Sequence, residues 1–230
     1  MYKLTRERRR ETCVHEAAHA VMFSIGGAYV YRLAVAPEGS EDWTIEGRKG
    51  GTLTDLWGVC SSSDAFTATM FMQWDDDDCY YKADKSAFAS FYPTDRHRQF
   101  ALRELRAHVC ATLAGPIASQ IHEGEEHIYV DEGEYSRTDD ITKAQGMARL
   151  LYWRNEYDYL AELTEQTLRR PDVWAMVLCL ADELERIGDM DDEQLSGFLP
   201  GEVPNWPPSP RAKPIHIEAL RIAPLETTAA

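Results

Sequence analysis

The chain has 230 residues, 44% of them hydrophobic and 27% charged, which is enough apolar material for one packed core and excludes a disulfide scaffold, a collagen or wholesale disorder. Lys and Arg number 24 against 39 Asp and Glu, a net charge of −15, so phosphate backbones and anionic membrane surfaces repel it. No nucleic-acid partner and no membrane segment are expected, since no apolar run approaches the roughly 18 residues of a spanning helix.

Thr5 to Ile25 reads as the first helix: Val14, Ala18, Val21, Met22 and Ile25 recur at helical spacing, and Gly26-Gly27 is a stop. Its basic start (Arg6, Arg8, Arg9, Arg10) and apolar middle suggest a signal peptide. His15, Glu16 and His19 at the head of the apolar run and the lack of a small-residue cleavage site argue against one, so the expected compartment is the cytoplasm. The five cysteines (Cys13, Cys60, Cys79, Cys110, Cys179) form no C-x-x-C pair and read as free thiols.

Tyr29 to Ala36 is rich in β-formers and ends at Pro37, so a strand is expected there, with a second near Gly51 to Trp57. The stretch 61–93 mixes aromatic residues with the run Asp75-Asp76-Asp77-Asp78. It lacks the alternating ligands, central Gly and terminal Glu of a calcium loop, so it reads as a solvated acidic insertion. Arg98 to Glu123 is helical in pattern, with a kink or break expected at Gly115-Pro116.

After the polar loop Asp131 to Ser136, Thr138 is the expected N-cap of a helix from Asp139 to about Trp153. Helices follow near Tyr157 to Arg169, Pro171 to Ile187 and Asp191 to Phe198. Seven of the eleven prolines fall between Pro200 and Pro224, so residues 200–230 read as an extended, mobile proline-rich tail on a domain of residues 1–199. The expected class is α+β: mainly helical with a small β-sheet or hairpin.

His15-Glu16-Ala17-Ala18-His19 is an H-E-x-x-H on that first helix. Residues i and i+4 share a helix face, so both imidazoles can reach one ion. Zinc takes neutral imidazole, and a catalytic site keeps one position for water, whose proton an adjacent glutamate can accept. A third ligand is needed. The metzincin extension would place Gly and His where the chain has Met22 and Ile25, so the ligand is a later acid.

These residues, with the Gly26-Gly27 turn and the strand ending Val35-Ala36-Pro37-Glu38-Gly39, resemble the peptidase domain of the FtsH-type membrane-bound AAA proteases, peptidase family M41. Gly50-Gly51-Thr52-Leu53-Thr54, Leu113-Ala114-Gly115-Pro116-Ile117-Ala118 and Ser136-Arg137-Thr138-Asp139-Asp140-Ile141 are similar to its later segments, as are Leu184, Met190-Asp191-Asp192-Glu193 and Leu195. The likeness covers roughly residues 10–199. Ala18 replaces a glycine and Pro116 an arginine of the family pattern, and the stretch before Asp140 is longer.

The resemblance implies a zincin-like H-E-x-x-H helix, then a strand, then a C-terminal helical bundle. It implies a Zn2+ cofactor held by His15, His19 and Asp140, with Glu16 catalytic. Asp139 competes with Asp140, whose place in a first helical turn also suits the helix dipole. Glu104 or Glu123 could serve instead. The family's edge strand, which can accept an extended peptide, falls on Leu33 to Ala36.

No G-x-x-x-x-G-K-[ST] occurs, so the expected activity is that of a stand-alone, ATP-independent zinc metallopeptidase. Its substrate would be a peptide or unfolded protein, and a homo-oligomer or a separate partner protein is implied. The alternative is a catalytically inactive or regulatory metal-binding adaptor, with the metal closed by a fourth residue such as His108, His122 or His127. The acidic stretches Glu38 to Asp84 and Glu123 to Asp140 would give the cleft a negative rim favouring basic or neutral peptides.

Overall fold

A computed structural model describes residues 3–46, 51–54, 56–63, 70–131, 136, 139–153 and 155–210. The chain is mainly helical with small antiparallel sheets, an α+β arrangement. Its first helix, α1 (Arg6–Ile25), is capped by the Thr5 hydroxyl, which accepts from the Arg8 N–H at 3.3 Å. The helix stops at Gly26, followed by Gly27 at φ 84°. β1 (Val30–Val35) follows, then the short β2 (Ile45–Glu46) and β3 (Thr52–Leu53), which pair with each other, and β4 (Gly58–Ser62).

β1 is the central strand of the largest sheet, not an edge. Leu33 pairs with Cys60 of β4 on one side and with Met190 on the other, where β7 (Asp189–Asp191) completes the order β4-β1-β7. The edge-strand role expected of Leu33 to Ala36 is therefore corrected: both of its hydrogen-bonding sides are used. Among the described residues, β4 and β7 form the edges.

The described part of 61–93 is more ordered than a solvated loop. β5 (Met72–Asp75) and β6 (Tyr80–Ala83) form a hairpin whose turn holds Asp76 to Cys79, and the Asp75 carboxylate accepts from the Asp77 and Asp78 N–H groups. Helix α2 (Lys85–Phe91) follows, buried through Phe88. Residues 64–69 lie outside the described residues.

Helix α3 (Asp95–Glu123) runs unbroken through Gly115-Pro116, so the expected break is absent. Its buried residues Leu105, Val109, Leu113 and Ile117 pack with Val14, Ala17 and Val21 of α1 in one core. The α1–α3 approach is close: a Cβ on Gly26 would lie 2.8 Å from that of Ala107.

Helix α4 (Asp140–Ala148) starts one residue later and ends sooner than expected. Its N-cap is Asp139, whose carboxylate accepts from the Thr142 N–H at 2.7 Å. Thr138, the expected cap, lies outside the described residues, as do 132–135 and Arg137. Then come α5 (Glu156–Leu168), α6 (Pro171–Ile187), with Pro at its first position and Gly188 as its left-handed stop, and α7 (Asp192–Leu195) after β7.

The basic start of α1 ties these parts together. Arg9 donates to the carbonyls of Ala36 at 3.0 Å and Glu185 at 2.8 Å, and Arg10 pairs with Asp182 and Glu185.

Residues 200–210 pack on the domain. The Gly201 N–H donates to the Ser24 hydroxyl, the Val203 N–H donates to the Ile25 carbonyl, and Trp206 is only 2% exposed. An apolar indole at the surface would expose a large area of hydrocarbon, so its burial holds this part of the segment in place. Residues 211–230 lie outside the described residues. No helix among the described residues is long and apolar enough to cross a membrane.

Candidate metal centre

Helices α1 and α3 run side by side in opposite directions, so every fourth residue of one meets every fourth residue of the other. Glu11 meets Glu123, His15 meets Ser119, His19 meets Gly115 and Ala111, and Phe23 meets His108. The two histidines of the H-E-x-x-H thus lie in a packed seam, where a polar ring needs partners.

Each ring has one nitrogen engaged by α3. His19 Nδ1 donates to the Ala111 carbonyl at 2.7 Å, so in the neutral ring its Nε2 carries the lone pair. His15 Nδ1 lies 3.2 Å from the Ser119 hydroxyl. Both Nε2 atoms then point to one place. They are 3.0 Å apart, and Asp140 Oδ2 lies 3.2 Å from that of His15 and 3.1 Å from that of His19.

This His15, His19, Asp140 group could hold a metal ion, and it is the only such group of three or more among the described residues. Ligands about 2.0–2.1 Å from one ion in a tetrahedral array sit roughly 3.3–3.4 Å from one another, close to the spacings found. The ground beside the nitrogens is kept open by a missing side chain. A Cβ on Gly115 would fall 2.3 Å from His19 Nε2 and 2.4 Å from His15 Nε2, crowding both nitrogens.

Asp140 reaches the histidines from the first turn of α4, and its other oxygen, Oδ1, accepts from Lys143 Nζ at 3.1 Å. Asp139, the competing ligand, points its carboxylate at its own helix N-terminus instead. Burial alone would raise the Asp140 carboxyl. The His19 charge, hydrogen bonds from both histidines and Lys143 outweigh it and hold Asp140 well below the usual carboxylate range. His19 is the converse: burial pushes it down, but the charge and hydrogen bond of Asp140, with Glu16 and the Ala111 carbonyl, leave it raised.

Glu16 is 8% exposed and turns toward β4, where Gly58 makes room: a Cβ there would lie 2.7 Å from Glu16 Oε1. Burial keeps its carboxyl above the ordinary range, partly opposed by the histidine charges. A carboxylate in that state is a ready proton acceptor beside a metal-bound water.

The other sequence candidates lie elsewhere. His108 is engaged by the carbonyls of Glu104 and Ser63, His122 and His127 are exposed, and Glu104 and Glu123 are not in the group. Four participants escaped sequence reasoning in these roles: Gly58, Gly115, Ser119 and Lys143. Only Gly115 left a signal, since a glycine inside a long helix costs about 1 kcal/mol and asks for a reason.

No protein-family model matches the chain, and no curated protein matches it.

Proposed function

We propose that the protein is a zinc-dependent, ATP-independent peptidase that hydrolyses peptide bonds in peptides or unfolded protein segments. The observation that carries this reading is the convergence of His15 Nε2, His19 Nε2 and Asp140 Oδ2 at 3.0 to 3.2 Å, with Glu16 buried beside them. Two imidazoles and one carboxylate suit zinc, whereas calcium and magnesium favour oxygen-only sets. The same donors suit iron(II). Glu16, a second and non-ligating acid adjoining the cluster, favours hydrolysis.

Zinc, when bound, supplies Lewis acidity, lowering the pKa of a bound water toward about 7 and polarising a carbonyl. The chain's residues do the rest. Ser119 and the Ala111 carbonyl fix the two rings, so their lone pairs need no reorganisation. Glu16 accepts the water proton at its carboxylate and returns it to the leaving amine nitrogen. The outer edge of β4, unpaired among the described residues and carrying Gly58 against Glu16, takes an extended substrate by strand addition.

The test is hydrolysis of an unfolded protein by the full chain. Chelation should abolish it and zinc restore it. Glu16→Gln should keep its zinc and lose about 10²–10⁴-fold in rate. Equal rates for wild type and Glu16→Gln would refute the mechanism.

A further inference from the structure

Asp140 has two oxygens and they face different ways. Oδ2 lies 3.1 and 3.2 Å from the two Nε2 atoms, while Oδ1 lies 3.1 Å from Lys143 Nζ. Lys143 sits three residues on, one turn along α4, where side chains on one helix meet. As a source of stability such a pair on a partly exposed lysine is worth little. What it does control is which oxygen is free.

A carboxylate with both oxygens available can bind an ion through one or both. Through both, the site would hold four protein donor atoms, the count of a closed structural zinc. Through one it holds three and keeps a position for water. No other side chain of α4 is seen to take over the task. Asp139 caps the helix, Thr142 Oγ1 is buried and without a partner among the described residues, and Gln145 donates to the Asp131 carbonyl.

Resting on the metal-centre reading above, we infer that Lys143 is a positioning residue: by holding Asp140 Oδ1 it restricts Asp140 to one-oxygen ligation and keeps the metal open to water. It touches neither the ion nor the substrate.

The experiment compares wild type, Lys143→Met and Lys143→Arg loaded with Co2+, reading the visible absorption that reports the ion's ligands and their geometry. Zinc affinity by chelator competition and peptide hydrolysis are measured alongside. Met keeps the length of the stem and removes the donor, while Arg can still hold Oδ1.

Wild type and Lys143→Arg should share one strong visible band. Lys143→Met should still take one ion per chain, but with a displaced band as a carboxylate oxygen replaces water, and hydrolysis should fall by about 10–100-fold, the usual effect of removing an outer partner. A Lys143→Met spectrum identical to wild type, with only a lower melting temperature, would overturn the inference and leave the metal centre standing. Wild type that takes up no Co2+, or as much as His19→Ala, would overturn both.

Discussion

Gly115→Ala should separate metal binding from folding. The added Cβ would lie 2.3 Å from His19 Nε2, 2.4 Å from His15 Nε2 and 2.6 Å from His15 Cδ2, against a normal carbon contact of about 3.5 Å or more. Neither side yields easily. Leu113, Ala114 and Ile117 beside it have no exposed surface, and both rings are tied through Nδ1. Overpacking of this kind costs about 1–3 kcal/mol. Alanine returns about 1 kcal/mol as the better helix former. The metal-free protein should therefore lose only about 0–2 kcal/mol.

Metal binding should suffer far more, because the methyl group collides with both ligand nitrogens and turns them away. Disturbing outer partners alone costs about 10–100-fold in affinity, so displacing two ligands should cost more than about 100-fold, or above roughly 2.7 kcal/mol. Thermal unfolding with and without excess zinc, together with chelator competition, measures both quantities. Wild type should melt higher with zinc, since a ligand bound only by the folded state stabilises it. The variant should fold and ignore zinc. Wild-type zinc affinity in Gly115→Ala would refute the placement of the ion.

Other outcomes follow from the packing. Arg106 and Glu156 form an ion pair between α3 and α5, both 5% exposed or less, and Glu156 Oε2 has no further partner among the described residues. Arg106→Met should cost about 3–5 kcal/mol in urea denaturation, and adding Glu156→Leu should recover most of it. A mild single variant would contradict the buried pairing. Trp206→Ala should cost about 3–5 kcal/mol, whereas a loose tail would give less than about 0.5.

Burial pushes the Cys13 and Cys110 thiols up to about 12 from an ordinary 9.0. Below pH 9 these thiols are protonated whether folded or not, and stability is at its full value. Above it the unfolded chain ionises first, so stability should fall as pH rises from about 9 toward 12. Native alkylation near pH 8 should mark the exposed Cys179 and spare these two, and their rapid labelling would contradict the burial.

The long helices were legible because their apolar residues keep a 3.6-residue period and their ends carry strong stops, as Pro171 and Gly188 do for α6. The H-E-x-x-H was legible because i and i+4 share a face. Asp140 was reached only through resemblance: nothing local distinguishes it from Asp139, and the choice rests on which of the two points into its own helix turn.

β7 was invisible because Asp189-Met190-Asp191 has little β preference, and it is a strand only because β1 offers it a free side. The same hidden pairing makes β1 central rather than an edge. The hairpin of 72–83 was masked by its Asp run, whose carboxylates build the turn. The start of the proline-rich segment misled in the other direction, since Val203 and Trp206 find a pocket that composition does not announce.

The most direct measurement is a zinc-edge anomalous diffraction map of the zinc-loaded protein. The account predicts one ion bound by His15 Nε2, His19 Nε2 and a single oxygen of Asp140, with its fourth position held by water. An ion closed by a fourth side chain, or zinc lying away from these three residues, would contradict it.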